Sequence, residues 1–198
     1  MEIINSAFET AKAMRFLEVI AVFMGLASVI FSKKENILVY PTGIISVLIY
    51  VYLFFEVKLY ADTGINLFYF GMSIYGWYNW SRKSKDTKID ISKNTRNQNI
   101  LVIVSILILW YFLYFLLSNY TDSDVAHIDS YTTAVCFVGM WLMTWKRIEN
   151  WIMWIIADVV SVPLYWYKEL YLTSFQFVIF IILSVLGYME WKKKLHKN

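Results

Sequence analysis

Trp151, Trp154 and Asp158 stand three and four residues apart in the stretch WIMWIIAD. On an α-helix those steps return to one face, so the three side chains form a stripe of two indoles and a carboxylate. Such a stripe suits a flat, positively charged ring. Indole faces attract it by stacking and cation–π contact, and the carboxylate supplies the counter-charge. An ionised carboxylate near the centre of a membrane helix costs roughly 2.5–3.5 kcal/mol on insertion scales, so Asp158 needs a partner. That partner is either a hydroxyl on a neighbouring helix or a polar or cationic substrate, and the substrate contact is carried forward. Trp151, close to the helix end, also fits an interfacial belt; Trp154, a turn deeper, fits it less well.

Other polar side chains fall on similar stripes. Asn66, Tyr69 and Ser73 are spaced three and four apart, with Gly76 continuing the line. Gln176, Phe180, Ser184 and Gly187 form the matching stripe near the C-terminus. Ser161 lies one turn beyond Asp158, and Pro163 is expected to kink the helix and release backbone carbonyls there. Candidate substrate-binding residues are therefore Trp151, Trp154, Asp158, Asn66, Gln176, Tyr40, Tyr69 and Ser161. An enzyme is not expected. His127 and His196 fall in a loop and in the tail, and no zincin, nucleophile-elbow or phosphate-loop motif occurs. No cofactor or metal is expected, because the spans hold only scattered ligand types. The single Cys136 falls within a span, which predicts a buried structural thiol.

The elements that must carry these residues follow from composition. Of 198 residues, 59% are hydrophobic and 17% charged, where soluble domains run about 45–50% apolar and about 25% charged. Apolar runs long enough to cross a bilayer fall near 16–31, 36–55, 62–80, 99–118, 131–146, 150–167 and 171–191. Seven transmembrane helices in a single all-α membrane domain, 1–198, are predicted, with no soluble domain and no signal peptide. With loops numbered alternately, one side receives fourteen Lys and Arg and the other four: Lys12, Arg15, Lys58 and Lys168. The positive-inside rule puts the rich side in the cytoplasm, hence the N-terminus outside and the C-terminus inside. The net charge of +3 therefore belongs to membrane topology, not to a nucleic-acid surface. The acidic loop from Thr121 to Asp129 then falls outside. Asp158, about eight residues into the sixth span at about 1.5 Å each, reaches roughly 12 Å deep, close to the midplane.

An internal duplication is expected. GLASVIFSKKEN (25–36) resembles GMWLMTWKRIEN (139–150) at an offset of 114, and GWYNWSRK (76–83) resembles GYMEWKKK (187–194) at 111. The second loop, near Tyr60, is expected to absorb the difference. Repeat one then covers about 13–83, a linker helix about 99–118, and repeat two about 131–194. One helix between two three-helix units restores their direction, giving a 3+1+3 arrangement of parallel repeats about the membrane normal. That is the SWEET-like arrangement, with substrate near the midplane. At the offset of 114, Tyr40 matches Trp154 and Ile44 matches Asp158, so the acid has no counterpart.

Asn36, Tyr40-Pro41-x-Gly43, Tyr75-Gly-Trp-Tyr-x-Trp80 and Trp151-x-x-Trp154, set in seven spans, resemble the PnuC family of bacterial vitamin transporters along essentially the whole chain. The resemblance implies facilitated diffusion of nicotinamide riboside across the bacterial inner membrane, trapping by a phosphorylating cytoplasmic kinase, and a homotrimer. One departure stands out. The nicotinamide riboside members resemble Trp-x-x-Trp-x-x-x-Asn, whereas the last position here is Asp158. Nicotinamide riboside is itself cationic and remains compatible. Thiamine, with its thiazolium, becomes the competing substrate. A membrane substrate-binding subunit that needs a separate ATPase is the third possibility, and a structural or assembly protein the fourth.

Overall fold

The computed structural model describes residues 2–82, 89–120, 125–167, 169 and 171–195. Among the described residues the chain forms α1 (Glu2–Lys33), α2 (Val39–Glu56), α3 (Tyr60–Trp80), α4 (Arg96–Tyr120), α5 (Ala126–Thr144), α6 (Glu149–Tyr167) and α7 (Tyr171–Leu195). Each helix coincides with an expected span, and the ends differ where polarity misleads. α1 continues well before its apolar part, which begins at Met14. α5 starts several residues early, so His127 lies in its first turn and not in a loop. Four stretches pass the length and hydropathy needed to cross a membrane: Met14–Lys33, Val39–Glu56, Arg96–Tyr120 and Thr173–Leu195. Most of the basic stretch, 83–88, as well as 121–124 of the acidic loop and His196, lie outside the described residues.

The chain divides into two units, residues 1–74 and 75–198, with the boundary inside α3. In the first unit α1 packs on α2 through an exchange of small residues. Ser28 Oγ donates to the Val39 carbonyl at 2.8 Å, and Ser46 Oγ donates to the Ala21 carbonyl at 2.8 Å. Each serine also covers a glycine of the opposite helix. A Cβ on Gly25 would lie 3.2 Å from Ser46 Oγ, and one on Gly43 would lie 3.1 Å from Ser28 Oγ. Glycine and serine thus bring two backbones close enough for hydroxyls to bond across the interface, the usual solution where lipid removes the hydrophobic drive.

In the second unit α5 lies between α4 and α6, and α6 packs in turn on α7. Val135, Val138 and Leu142 of α5 join Met153 and Ala157 of α6 in one apolar cluster, backed by Val102, Ile106 and Leu109 of α4. Cys136 packs half-buried beside the cluster. α4 buries no residue completely, and its outward face of Leu107, Ile108, Tyr111 and Phe115 is fully apolar.

The helix ends reveal a register that residue similarity hid. Left-handed backbone occurs at Glu35 (φ 59°), Lys58 (62°), Lys146 (50°) and Glu169 (60°). Positions 35 and 146 are 111 apart, and so are 58 and 169. The same offset relates the end of α2 at Glu56 to that of α6 at Tyr167, and the start of α3 at Tyr60 to that of α7 at Tyr171. After α1 the Glu35 N–H bonds the Ser32 carbonyl and the Asn36 N–H that of Phe31; after α5 Lys146 and Arg147 bond Met143 and Leu142 in the same way. These are Schellman turns, built on a residue other than the usual glycine. For the first turn, backbone geometry thus gives a spacing of 111 where residue similarity gave 114. Tyr40 then matches Trp151, Gly43 matches Trp154, and Val47 matches Asp158. The carboxylate still has no counterpart.

Candidate functional site

α6 is two-sided. Ile152 and Val159 are exposed, whereas Trp151, Met153, Ala157, Asp158 and Ser161 are buried and Trp154 is half-buried. The periodicity that puts the tryptophans and the acid together also turns them inward, against α5 and α7.

The two indoles then diverge. Trp151 is 1% exposed and belongs to the α6–α7 contact, not to an interfacial belt. Its ring lies on Gly187, where a Cβ would stand 2.5–2.6 Å from three ring carbons, and meets Trp191 edge-on at 5.6 Å and 89°. Its Nε1 is buried with no hydrogen-bond partner among the described residues. Trp154 leans toward α5, where its Cε2 and Cδ2 stand 3.6 and 3.7 Å from the place a Cβ on Gly139 would occupy. Only Trp151 occupies space vacated by a glycine; Trp154 stands at ordinary contact distance from Gly139, where Met153 Cβ at 3.0 Å is nearer. Trp154 keeps part of its surface open; Trp151 keeps almost none.

Asp158 is 7% exposed, and no hydrogen bond or ion pair to it occurs among the described residues. Ser161, one turn away, donates backward to the Ala157 carbonyl at 2.8 Å and so does not serve the acid. Pro163 does not end the helix, which runs on to Tyr167. The Ser174 hydroxyl of α7 donates to the Val162 carbonyl at 2.8 Å, beside that proline. Burying a carboxylate without a partner is costly, and such groups in membrane helices mark substrate or ion contacts.

The other expected residues are scattered. Gln176 is half-buried on the α7 face that carries Phe180 and Ser184. Tyr40, Asn66 and Tyr69 lie in the other unit, 1–74. Tyr40 is buried at the start of α2. The Asn66 side-chain amide donates to the Asp62 carbonyl of its own helix at 2.9 Å, and Tyr69 is half-buried. Within one unit, Trp151, Trp154, Asp158 and Ser161 are brought to a single helix face, with Gln176 on the helix packed beside it.

Four residues, Asn79 and Trp80 at the end of α3 and Lys146 and Asn150 beside the start of α6, escaped the spacing rules. Lys146 is buried, with its ammonium 4.7 Å from the centre of the Trp80 ring. Trp80 donates its Nε1–H to the Met143 carbonyl at 3.2 Å and stands 6.0 Å from Trp191, so it packs inside the unit. Asn79 and Asn150 are fully buried; both amide atoms of Asn79 and Oδ1 of Asn150 lack a partner among the described residues. Their only sequence signal was an asparagine beside a tryptophan at each helix boundary. His127, expected in a loop, is met edge-on by Trp110 at 4.8 Å and Tyr114 at 5.4 Å, and its carbonyl accepts the Trp110 Nε1–H.

Helices long and apolar enough to cross a membrane, with a carboxylate buried beside a tryptophan, define an integral membrane protein as the class. Residues 15–193 match the family described as nicotinamide mononucleotide transporter, and the chain belongs to that family, the PnuC family of bacterial membrane proteins. The nicotinamide riboside transporter PnuC of Escherichia coli (strain K12) is 25% identical over 202 residues, covering 89% of this chain and 84% of that protein. The nicotinamide riboside transporter PnuC of Neisseria mucosa is 26% identical over 195 residues, covering 92% and 74%. The riboflavin/roseoflavin transporter RibM of Streptomyces davaonensis is 23% identical over 172 residues, covering 85% and 80%. Among solved structures, the crystal structure of the vitamin B3 transporter PnuC matches the fold with a TM-score of 0.75 at 24% identity, over 98% of this chain and 88% of that one.

Proposed function

We propose that the protein carries a cationic vitamin across the bacterial inner membrane by facilitated diffusion, with nicotinamide riboside as substrate and thiamine as its competitor. The carrying observation is Asp158, a buried carboxylate on the helix face of a half-open tryptophan, with no partner among the described residues. A pyridinium or thiazolium ring would stack on Trp154 and pair its charge with Asp158, offsetting the desolvation of both. Trp151 would shape the wall behind Trp154 instead of touching the ligand. Ser161 and Gln176 would supply hydrogen bonds to hydroxyls or an amino group. The names of the relatives in Escherichia coli and Neisseria mucosa favour the riboside. The full charge at Asp158 suits thiamine equally.

The same reading takes the helices as 3+1+3 parallel repeats, supported by the constant offset of 111 in turns and helix ends. It places the N-terminus outside and the C-terminus in the cytoplasm, supported by the distribution of Lys and Arg. Family resemblance further supports a homotrimer and trapping of the riboside by a cytoplasmic kinase. Calorimetric titration of the purified protein with nicotinamide riboside, thiamine and riboflavin tests the substrate. One of the two cations should bind and riboflavin should not; binding of riboflavin alone would reject the cation site. Liposomes holding the protein alone should equilibrate the labelled ligand without ATP or an ion gradient. Uptake that requires either would reject passive transport.

A further inference from the structure

α6 lacks a capping side chain of its own. Ile148 stands immediately before it, and the helix begins without serine, threonine, aspartate or asparagine at that position. The first N–H groups of a helix have no partner inside it, and a boundary at the edge of a membrane makes leaving them bare costly. At the matching turn before α2, Asn36 Oδ1 accepts the N–H of the N-cap residue Leu38 at 2.9 Å. At α6 the Asn150 and Trp151 N–H groups turn back to the Arg147 and Ile148 carbonyls, and the connector that precedes α4 takes up the N–H of Ile148, the residue just before the helix. The Ile148 N–H donates to the Ser92 carbonyl at 3.0 Å, and the Ser92 N–H donates to the Lys146 carbonyl at 3.1 Å. These two bonds form an isolated parallel bridge between Ser92 and Arg147.

Side chains tighten the bridge from both directions. The Arg147 guanidinium donates to the Lys93 carbonyl at 2.9 Å. The Asn94 N–H donates to Glu149 Oε1 at 2.9 Å. Asn94 Nδ2 and Glu149 Oε2 are buried with no hydrogen-bond partner among the described residues. Ile91 is buried at one end of the segment. At the other end Thr95 and Gln98 exchange hydrogen bonds in a capping box that opens α4.

We propose that residues 91–94 form a strap that positions α6, with Arg147 and Glu149 as its positioning residues. Neither residue touches the substrate. Both hold the α6 entry from which Trp151 begins two residues later and Trp154 and Asp158 project. The strap explains why Arg147 and Glu149 flank the start of the site helix. This inference rests on the assignment of Trp154 and Asp158 as the substrate contacts.

The test measures amide hydrogen exchange over 148–154 and the affinities for nicotinamide riboside and thiamine in wild type, Glu149→Ala, Glu149→Gln and Arg147→Ala. Loss of one clasp should raise exchange across 148–154 and weaken the better ligand about three- to tenfold, the range for one net hydrogen bond. Glu149→Gln keeps an acceptor for the Asn94 N–H and should restore both readouts. Unchanged exchange in Glu149→Ala and Arg147→Ala would overturn the strap. Raised exchange with unaltered affinity would overturn its positioning role. If wild type binds neither cation, the substrate assignment fails, and with it the link to affinity, while the exchange data still judge the strap itself.

Discussion

Gly187→Ala is the sharpest test of the α6–α7 packing, because one methyl group should be felt by one indole. The added Cβ would stand 2.5, 2.6 and 2.6 Å from Cη2, Cζ2 and Cζ3 of Trp151. Carbon atoms rest about 3.5–4.0 Å apart, so the shortfall is about 1 Å at three atoms together. Trp151 cannot rotate away, being buried and edge-on to Trp191. Overpacking of this kind costs about 1–3 kcal/mol. Replacing a helical glycine by alanine gains about 1 kcal/mol in propensity, which blurs the single variant. Gly71→Ala supplies the control, since a Cβ there meets nothing within 4 Å and only the propensity gain applies. The difference between the variants isolates the packing term, about 1–3 kcal/mol. For a chain of this size that is about 2–12 °C in Tm, with Gly187→Ala the lower. Thermal unfolding in detergent, followed by loss of the monodisperse peak, measures both. Trp151→Phe in the Gly187→Ala background should recover part of the loss. Equal Tm values for the two alanine variants would refute the contact.

Three further outcomes are expected. Asp158→Asn should weaken a cationic vitamin at least about tenfold while leaving Tm level or raising it, because it removes a buried charge that no described residue pairs. A fall in Tm with intact affinity would return the acid to a purely structural role. Glu169→Gly should stabilise by about 1 kcal/mol by relieving an exposed left-handed residue, whereas Lys146→Gly should gain less, since it also gives up the ammonium over Trp80. Comparison of their melting temperatures decides this; equal gains would deny the Lys146–Trp80 contact any weight. Ser46→Ala should cost about 0.5–1.5 kcal/mol in thermal unfolding, through loss of the bond to the Ala21 carbonyl. A neutral result would show that the α1–α2 contact depends on close approach alone.

The sequence by itself determined the number of helices, their approximate limits and the membrane as their solvent. These follow from the length of apolar runs, a property local to each segment. It also determined that Trp151, Trp154 and Asp158 share a helix face, because a period of 3.6 residues needs no tertiary context. The tertiary structure decided which neighbour each side chain meets. Gly187 takes up Trp151, Gly139 lies beside Trp154, and Asp158 is left with no partner among the described residues. Residue similarity placed the first turns 114 apart, yet backbone geometry places them 111 apart, because a left-handed turn can be built on glutamate or lysine and leaves no residue signature. Likewise the clasp between Asn94 and Glu149 joins groups 55 residues apart. Such a contact depends on how α4, α5 and α6 pack together, and no local pattern of residues encodes that.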